Sequence, residues 1–552
     1  MPPAGRGQWA LGYREPLNPN ERTKKDDDGL NVRERIINQY SKTGFSSIAP
    51  DDLRGRMRWW GLYTQRIQGA RGEIEEIEDS HFMLRVRLTG GQFTNEQLRV
   101  VGRIAEVYGR DVADVTDRQN VQLHWIRIED VPAIWEQLEA VGLSTAEACG
   151  DTPRAMLGCP LAGIDADEIL DGTPWLVETN DRILGDPAFS NLPRKFKTTV
   201  SGCTHQCAEH EINDISLIGA YGPNGEPGFD LWVGGGLGPA PKFAQRLGVW
   251  VAPEQVSDVW VGVVSVFRDY GYRRSRAQAR LKFLMADWGP EHFRDVLESQ
   301  YLGYKLADGD APTPSERSQR DHVGVHVQKD GNLYVGFAPR AGRTSGTQLQ
   351  RVADLAAEYG SGLVRATTQQ KMVILDVRPE GVDTLVDALE ELDLQVNAGV
   401  FRQGTMACTG NEFCKLALVN TKDRADWLYR ELERRLPDFE EPIRININGC
   451  PNSCARVQVA DIGLLGSLIN LPGGEKVEGF QVHLGGHLGA EYRFGRRAKG
   501  VRVPADELAD YIEGLLRRFL DTRFPEEAFH SWIERADDAL LAHDDLSAAV
   551  PV

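Results

Sequence analysis

Three stretches in the first half of this chain return in the second half, in the same order and at nearly one spacing. Gln97-Leu98 and Tyr108-Gly109 come back as Gln348-Leu349 and Tyr359-Gly360, 251 residues later. Cys203, Cys207 and Ala208, followed by Asp214-Ile215, come back as Cys450, Cys454 and Ala455, followed by Asp461-Ile462, at an offset of 247. The glycine run from Gly234 to Gly238 comes back as the run from Gly485 to Gly489, at 251 again. Ordered matches at one period mark a duplicated module, so the chain must fold as two like halves. The proline- and glycine-bearing stretch 308–322 reads as the linker between them.

Within each half the pattern is mixed. Phe82, Leu84, Val86 and Leu88 alternate with Arg85 and Arg87, as a strand with one buried face does. A helix follows from Asn95 to about Tyr108, then a strand from Val121 and a helix from Pro132, which together make a small α+β unit. Residues 1–80 are polar and irregular apart from the aromatic cluster Trp59, Trp60 and Tyr63, and read as an arm wrapped over the body. The expected division is the arm (1–80), a first α+β half-repeat (81–145) and a first larger domain (146–307). After the linker (308–322) come a second half-repeat (323–398) and a second larger domain (399–552).

The chemistry concentrates in Cys408 and Cys414, six apart, and in Cys450 and Cys454, four apart after Asn448-Gly449. Four residues return to one face of a helical turn, whereas six require a loop to bring the thiols together. Gly449 permits a close backbone approach, and Pro451 suits a first helical turn. Four convergent thiolates mean a metal centre. The gap of three between Cys450 and Cys454 suits zinc, and the gap of five between Cys408 and Cys414 suits an iron–sulfur cluster; spacing alone leaves both open.

The combination C-x5-C followed by N-G-C-P-N-S-C resembles the signature of the sirohaem-dependent sulfite and nitrite reductases, and the likeness extends over most of the chain. It implies an α+β, internally duplicated, pseudo-twofold fold of two ferredoxin-like half-repeats and two cofactor-binding domains, with the cofactors between the halves. It implies one 4Fe–4S cluster on Cys408, Cys414, Cys450 and Cys454, with the Cys454 thiolate also ligating sirohaem. The implied activity is six-electron reduction of sulfite to sulfide with electrons from ferredoxin, and the nearest alternative is nitrite reduction to ammonia. The resemblance places Arg85, Arg154, Lys195 and Lys197 over the distal face of the sirohaem iron as catalytic, substrate-binding groups. Arg118 and Gln122 are implied macrocycle contacts. Some members of the family join a tyrosine to a cysteine by a thioether, and the candidates here are Tyr63 and Cys149.

The residue pattern is consistent with that reading. Sirohaem and its substrate are anionic, and burying them requires fixed cations. Lys195 and Lys197 flank Phe196 and so share a side. Gln122 and His124 share one strand face, and Arg444, Asn446 and Asn448 share another, opposite three isoleucines. Gln122, His124, Arg444, Asn446 and Asn448 join Arg118 and Cys454 in the candidate cofactor site, and the two lysines belong to the catalytic set. The glycine runs offer backbone N–H groups for carboxylates, and the basic tract from Tyr270 to Arg280 is a candidate surface for ferredoxin. Cys203 and Cys207, beside His205 and His210, read as the structural counterparts of Cys450 and Cys454 rather than as a second centre, because neither Cys149 nor Cys159 completes a C-x5-C.

Composition narrows the field further. Eight cysteines in a chain with no signal-like start point to redox or metal chemistry in a reducing, cytoplasmic compartment rather than to disulfides. No run is long enough to cross a membrane, and a net charge of −18 disfavours nucleic acid. The duplicated length leaves no segment for a flavin or nicotinamide domain, and a monomer is expected. A corrin-pathway oxygenase on the same scaffold and a non-catalytic zinc or iron–sulfur protein are the remaining alternatives.

Overall fold

The computed structural model describes residues 17–67, 78–315, 321–471 and 473–542. Residues 1–16 and 68–77 of the expected arm and 316–320 of the linker lie outside them.

Each half builds one small antiparallel sheet. The first runs Leu62–Arg66, Glu78–Val86, Val121–Ile126 and Ala113–Val115, and is completed by Arg343–Thr344 from the other half. The second runs Gly324–Val327, Leu333–Phe337, Met372–Val377 and Leu363–Ala366, and is completed by Gln92–Thr94 from the first half. The halves thus exchange edge strands, and each covers an edge that would otherwise be open. The alternation read at 82–86 is realised, with Phe82, Leu84 and Val86 fully buried. Leu62–Arg66, assigned above to the irregular arm, is an edge strand instead, since Leu62 pairs with Leu84 and buries its side chain in the same core.

The helices Asn95–Tyr108 and Gly346–Tyr359 pack against each other at the centre. Both begin with a capping box, Thr94 with Gln97 and Ser345 with Gln348. In both, the same glutamine also donates to a distant carbonyl, Gln97 to Val141 at 3.0 Å and Gln348 to Leu392 at 2.7 Å. At the crossing the backbones touch: a Cβ on Gly102 would lie 2.7 Å from the Gly346 carbonyl oxygen. Glycine is required there for contact rather than for conformation.

The two larger sheets repeat one topology. Leu157–Gly158, Thr198–Ser201 and Ile215–Tyr221 run parallel, followed by antiparallel Pro227–Val233 and Gln245–Val251. In the second half Thr405–Ala407, Ile445–Asn448 and Ile462–Asn470 run parallel, followed by Lys476–Leu484 and Arg496–Pro504. The seam between halves is reciprocal. Within each half the Gln119 amide pairs with both backbone groups of Gly158, as its counterpart Gln370 does with those of Ala407, and across the seam Gln119 also donates to the Ala366 carbonyl at 2.8 Å. Glu211 accepts from the Gly489 N–H at 2.6 Å, and Gln458 donates to the Gly238 carbonyl at 3.1 Å. The arm is fixed to the first half by Lys24 on the Leu192 carbonyl (2.7 Å), Glu21 on Arg273 (3.1 Å) and Trp59 on the Ser190 carbonyl (2.7 Å). No helix among the described residues is long and apolar enough to cross a membrane.

Candidate cofactor and anion site

The four second-half cysteines sit on two loops that follow neighbouring parallel strands. Cys408 follows Thr405–Ala407 and donates its N–H to the Ile447 carbonyl at 3.0 Å, which continues the ladder. The chain then turns through Gly410, whose φ is +72° and whose Cβ position lies 2.5 Å from Thr421 Oγ1; only glycine fits that turn. Cys414 N–H closes the turn on the Gly410 carbonyl at 2.9 Å. Gly449 donates to Cys408 Sγ at 3.2 Å, and a Cβ there would lie 2.6 Å from the Ala417 Cβ. This is the close approach expected of that glycine, and its neighbour is the other cysteine loop.

Cys450 and Cys454 are not on a helix. Ser453 has φ +55°, and Asn448 Oδ1 accepts the Ala455 N–H at 2.7 Å, so a side chain replaces the backbone partner and closes a turn. Burial, and for Cys408 also the neighbouring Cys454, pushes the thiols of Cys408 and Cys414 up to about 12 and about 11. Four such thiols cannot ionise beside each other without a cation among them. The donor set therefore fits a metal cluster. Cys454 is the exposed member of the four.

Beside them lies a group of cations from the first half. Arg85, on Glu78–Val86, donates to Cys149 Sγ at 2.8 Å and is close enough to Tyr63, Cys454 and Asp117 to feel their charge. Gln122 is its cross-strand partner and accepts from Thr409 Oγ1 at 3.5 Å, next to Cys408. Arg154 donates to the Gly150 carbonyl at 2.8 Å and leaves its buried Nε without a partner. Arg118 spans Asn213 Oδ1 (2.7 Å) and the Ala155 carbonyl (3.1 Å). Lys195 and Lys197 project on either side of Phe196, which is locked in the core by Trp260 and Phe267.

Neither lysine meets a carboxylate at ion-pair distance among the described residues. Burial lowers both, that of Lys197 to about 7, and nearby cations add to it: Lys197, Arg280, Arg194 and Arg154 around Lys195, and Arg118 and Arg280 around Lys197. A cation cluster without a counter-charge is costly unless an anion completes it. These residues fit a polyanionic group.

Other residues named from the sequence are placed differently. His124 is fully buried, with Nε2 on Asp114 (2.9 Å) and its ring stacked on Phe413 at 3.9 Å, so it holds the Cys414 loop. Asn446 donates to the Arg456 carbonyl at 3.4 Å, and Arg444 donates its N–H to Asp461 at 2.9 Å. In the glycine runs, the N–H groups of Gly234, Gly235, Gly236, Gly485, Gly486 and Gly489 all bond within the chain and are not offered outward. The basic tract from Tyr270 to Arg280 also turns inward, because Arg273, Arg276 and Arg280 neutralise the buried carboxylates of Glu21, Asp151 and Asp214. Those three arginines are committed inside the fold, while Arg274 of the same tract is exposed.

The sequence reading missed several supports. Arg87 donates to Asn180 (2.9 Å) and to the Pro153 carbonyl (2.9 Å), fixing the segment that carries Arg154. Asp214 accepts the Lys197 N–H at 2.8 Å, as Asp461 does that of Arg444. Arg456 pairs with Glu209 across the seam. The repeat offset, applied residue by residue, is the signal that would have found this pair.

Convergent thiols beside a buried cluster of cations, in two copies of one fold, fit a redox protein built on a metal cluster and a bound polyanion. Comparison with known proteins agrees. The family described as nitrite and sulphite reductase 4Fe-4S domain matches residues 149–306 and 401–537, and the nitrite/sulfite reductase ferredoxin-like half domain matches 75–141 and 326–392. The chain is 53% identical over 542 residues to the sulfite reductase [ferredoxin] of Mycobacterium tuberculosis (strain H37Rv), covering 96% of this chain and 97% of that one. It is 37% identical over 545 residues to the assimilatory ferredoxin-dependent nitrite reductase of Haloferax mediterranei, covering 93% and 91%. The solved structure of Mycobacterium tuberculosis NirA protein superposes with a TM-score of 0.94 at 53% identity, over 97% of this chain and all of that one. The chain belongs to the nitrite and sulphite reductase family, and its cofactors are accordingly a 4Fe–4S cluster and sirohaem.

Proposed function

We propose that this protein reduces sulfite to sulfide with six electrons from ferredoxin. The observation that carries the reading is the buried cation group at Arg85, Arg154, Lys195 and Lys197, in which neither lysine meets a carboxylate at ion-pair distance among the described residues and Arg85 lies near Cys454. Greater identity to the sulfite reductase than to the nitrite reductase supports the choice of anion. When bound, the cluster on Cys408, Cys414, Cys450 and Cys454 supplies single electrons, and sirohaem, reached through Cys454, supplies the iron on which the anion is reduced.

The chain's own residues do the rest. Arg85 and Arg154 present guanidinium N–H groups that hold the oxyanion and stabilise the negative charge as it develops. Lys197, lowered to about 7 by burial, is poised near neutrality to give a proton to a departing oxygen, and Lys195 lies within its field. Arg118 and Gln122 face the macrocycle, with Arg444, Asn446 and Asn448 behind the Cys454 turn. A cavity of about 210 Å³ that reaches Tyr63 is lined by Lys24, Arg58, Arg194 and Arg276 together with Asp27, Asp51 and Asp151, so cations only partly offset by carboxylates face it in a chain that is acidic overall. Arg85 donates to Cys149 Sγ at 2.8 Å and lies near enough to Tyr63 for the two to interact electrostatically, which supports the thioether between Tyr63 and Cys149. Peptide mass spectrometry tests it: a linked species two hydrogens lighter is expected, and separate unmodified peptides would exclude it.

Both halves of the site come from one chain, which supports a working monomer, and eight cysteines outside any disulfide suit the cytoplasm. The test of function is steady-state reduction of sulfite and of nitrite with reduced ferredoxin, alongside cofactor quantitation. A clear preference for nitrite would replace this reading with that of a nitrite reductase.

A further inference from the structure

The first half retains its own version of the cluster position. The repeat aligns Cys408, Cys414, Cys450 and Cys454 with Cys159, Asp165, Cys203 and Cys207. The supporting strands correspond too, since Leu157–Gly158 runs parallel to Thr198–Ser201 as Thr405–Ala407 does to Ile445–Asn448. A search for C-x5-C passes over this set because its second member is an aspartate.

The fold brings these side chains together. Cys159 Sγ, an Asp165 carboxylate oxygen and Cys203 Sγ lie within 4.8 Å of one another, and all three residues are buried. Cys203 Sγ is 3.3 Å from Asp165 Oδ2 and in hydrogen-bond contact with Cys159. Cys207 is buried alongside, outside that 4.8 Å group but close enough to Cys159 to act on its charge, so it completes the set by a turn of its side chain or loop. A tetrahedral zinc ion with Zn–S bonds of ~2.3 Å holds its sulfurs about 3.8 Å apart, so this spacing suits one ion. The four second-half cysteines do not close to within 4.8 Å of one another, as expected of ligands spread around a larger cluster.

The surroundings also suit a bound ion. The His205 N–H points to Cys203 Sγ at 3.4 Å, and Arg365, beside Cys159, donates to the Pro160 and Ala162 carbonyls at 3.0 and 2.7 Å. That guanidinium offsets part of the negative charge that thiolate and carboxylate ligands would leave around a divalent ion. Cys159, Leu161 and Cys203 pack on Tyr334, Val373 and Leu375 of the second half, so the position is a junction between halves.

We propose that the first half binds one structural zinc ion through Cys159, Asp165 and Cys203, with Cys207 as the fourth ligand, at the place equivalent to the cluster of the second half. With four protein ligands the site is closed and does no chemistry of its own. It fixes the 159–168 loop to the 203–207 turn and stiffens the junction.

The test uses the full-length holoprotein from cells grown with ample zinc. About one zinc per chain is expected in addition to cluster iron, with zinc X-ray absorption showing sulfur neighbours near 2.3 Å and one light-atom neighbour. Cys159→Ser combined with Cys203→Ser should lose the zinc while sirohaem absorbance, cluster iron and sulfide stay at their full ratio. Asp165→Asn, which preserves shape if the double variant does not fold, should speed zinc release to a chelator at least tenfold. Less than a tenth of an equivalent of zinc, a zinc shell without sulfur, or zinc retained unchanged in the variants would each overturn the proposal.

Discussion

Glu209 and Arg456 hold the same place in the two halves, two residues after Cys207 and Cys454, and they meet each other. Both are in the left-handed conformation with φ +60°, so their backbones are copies while their charges are opposite. Near the axis of a duplicated fold a residue faces its own counterpart. Identical charges there would repel in a buried setting, whereas divergence to Glu and Arg turns the contact into a complement. The same logic runs through the two larger domains. Lys197 and Arg444 each donate a backbone N–H to an aspartate, but Asp214 is held by the fork of Arg280, while Asp461 faces His487 and His530. One copy carries the buried cation group and the other the four convergent cysteines.

The sharpest way to break that comparison is to exchange the roles of paired cysteines. If the Cys454 thiolate serves both centres as proposed, Cys454→Ser should abolish sulfite turnover and disturb both cofactor signals. Cys207→Ser, at the equivalent place, should keep cluster iron and sulfide at full content. Loss of cluster iron in Cys207→Ser, or its full retention with normal turnover in Cys454→Ser, would erase the division of labour.

Next in size is the cation group. Lys197→Met should keep both cofactors and lower turnover by about two to four decades, the usual worth of a positioned proton donor. Wild-type turnover should fall as pH rises through the pKa of Lys197, since only its protonated form can donate. That pKa is lowered to about 7 in the protein alone and climbs once anions bind nearby. The alkaline limb should vanish in the variant. Near-normal turnover in Lys195→Met/Lys197→Met would move the donor elsewhere, and loss of sirohaem in place of rate would make these lysines holders of the macrocycle.

The axial pair comes third. Arg456→Met leaves the Glu209 carboxylate buried and unpaired, which typically costs about 3–5 kcal/mol of stability. Exchanging the charges, Glu209→Arg with Arg456→Glu, should recover part of the loss because the two backbones are equivalent. Thermal denaturation of the four proteins of that cycle measures the coupling. Additive losses with no recovery would mean that the pair is not a unit.

What the sequence discloses follows from the kind of interaction involved. Strand alternation at Phe82, Leu84 and Val86 and the close approach at Gly449 are local or repeat-borne, and both are legible. The turn at Cys450–Cys454 was misread as helical because spacing cannot show that Asn448 Oδ1 takes over a backbone partner at Ala455. The tract from Tyr270 to Arg280 looks like a surface because its acidic partners lie 66, 125 and 252 residues away in sequence. His124 shares a strand face with Gln122, yet one stacks on Phe413 and the other reaches Thr409. Those distinctions are tertiary, and no periodicity carries them.

The smallest effect tests how equal the copies have remained. The caps of the paired central helices use the same two bonds. Gln97 N–H reaches Thr94 Oγ1 at 3.2 Å and Gln348 N–H reaches Ser345 Oγ at 3.0 Å, with each glutamine side chain bonding back to the cap N–H. Thr94→Ala and Ser345→Ala should therefore each cost about 1 kcal/mol, the usual worth of such a cap. They should not cost quite the same. Thr94 is exposed, so water can replace the lost acceptor, whereas the Ser345 cap is partly buried and Thr344 bonds to the same glutamine at 3.1 Å. The second-half variant should be the more destabilised by a few tenths of a kcal/mol. Because the two helices press together at Gly102 and Gly346, fraying one loosens the bed of the other, so the double variant should lose less than the sum. A strictly additive double variant, measured by denaturant unfolding of the holoprotein, would show that the helix ends move independently of the crossing.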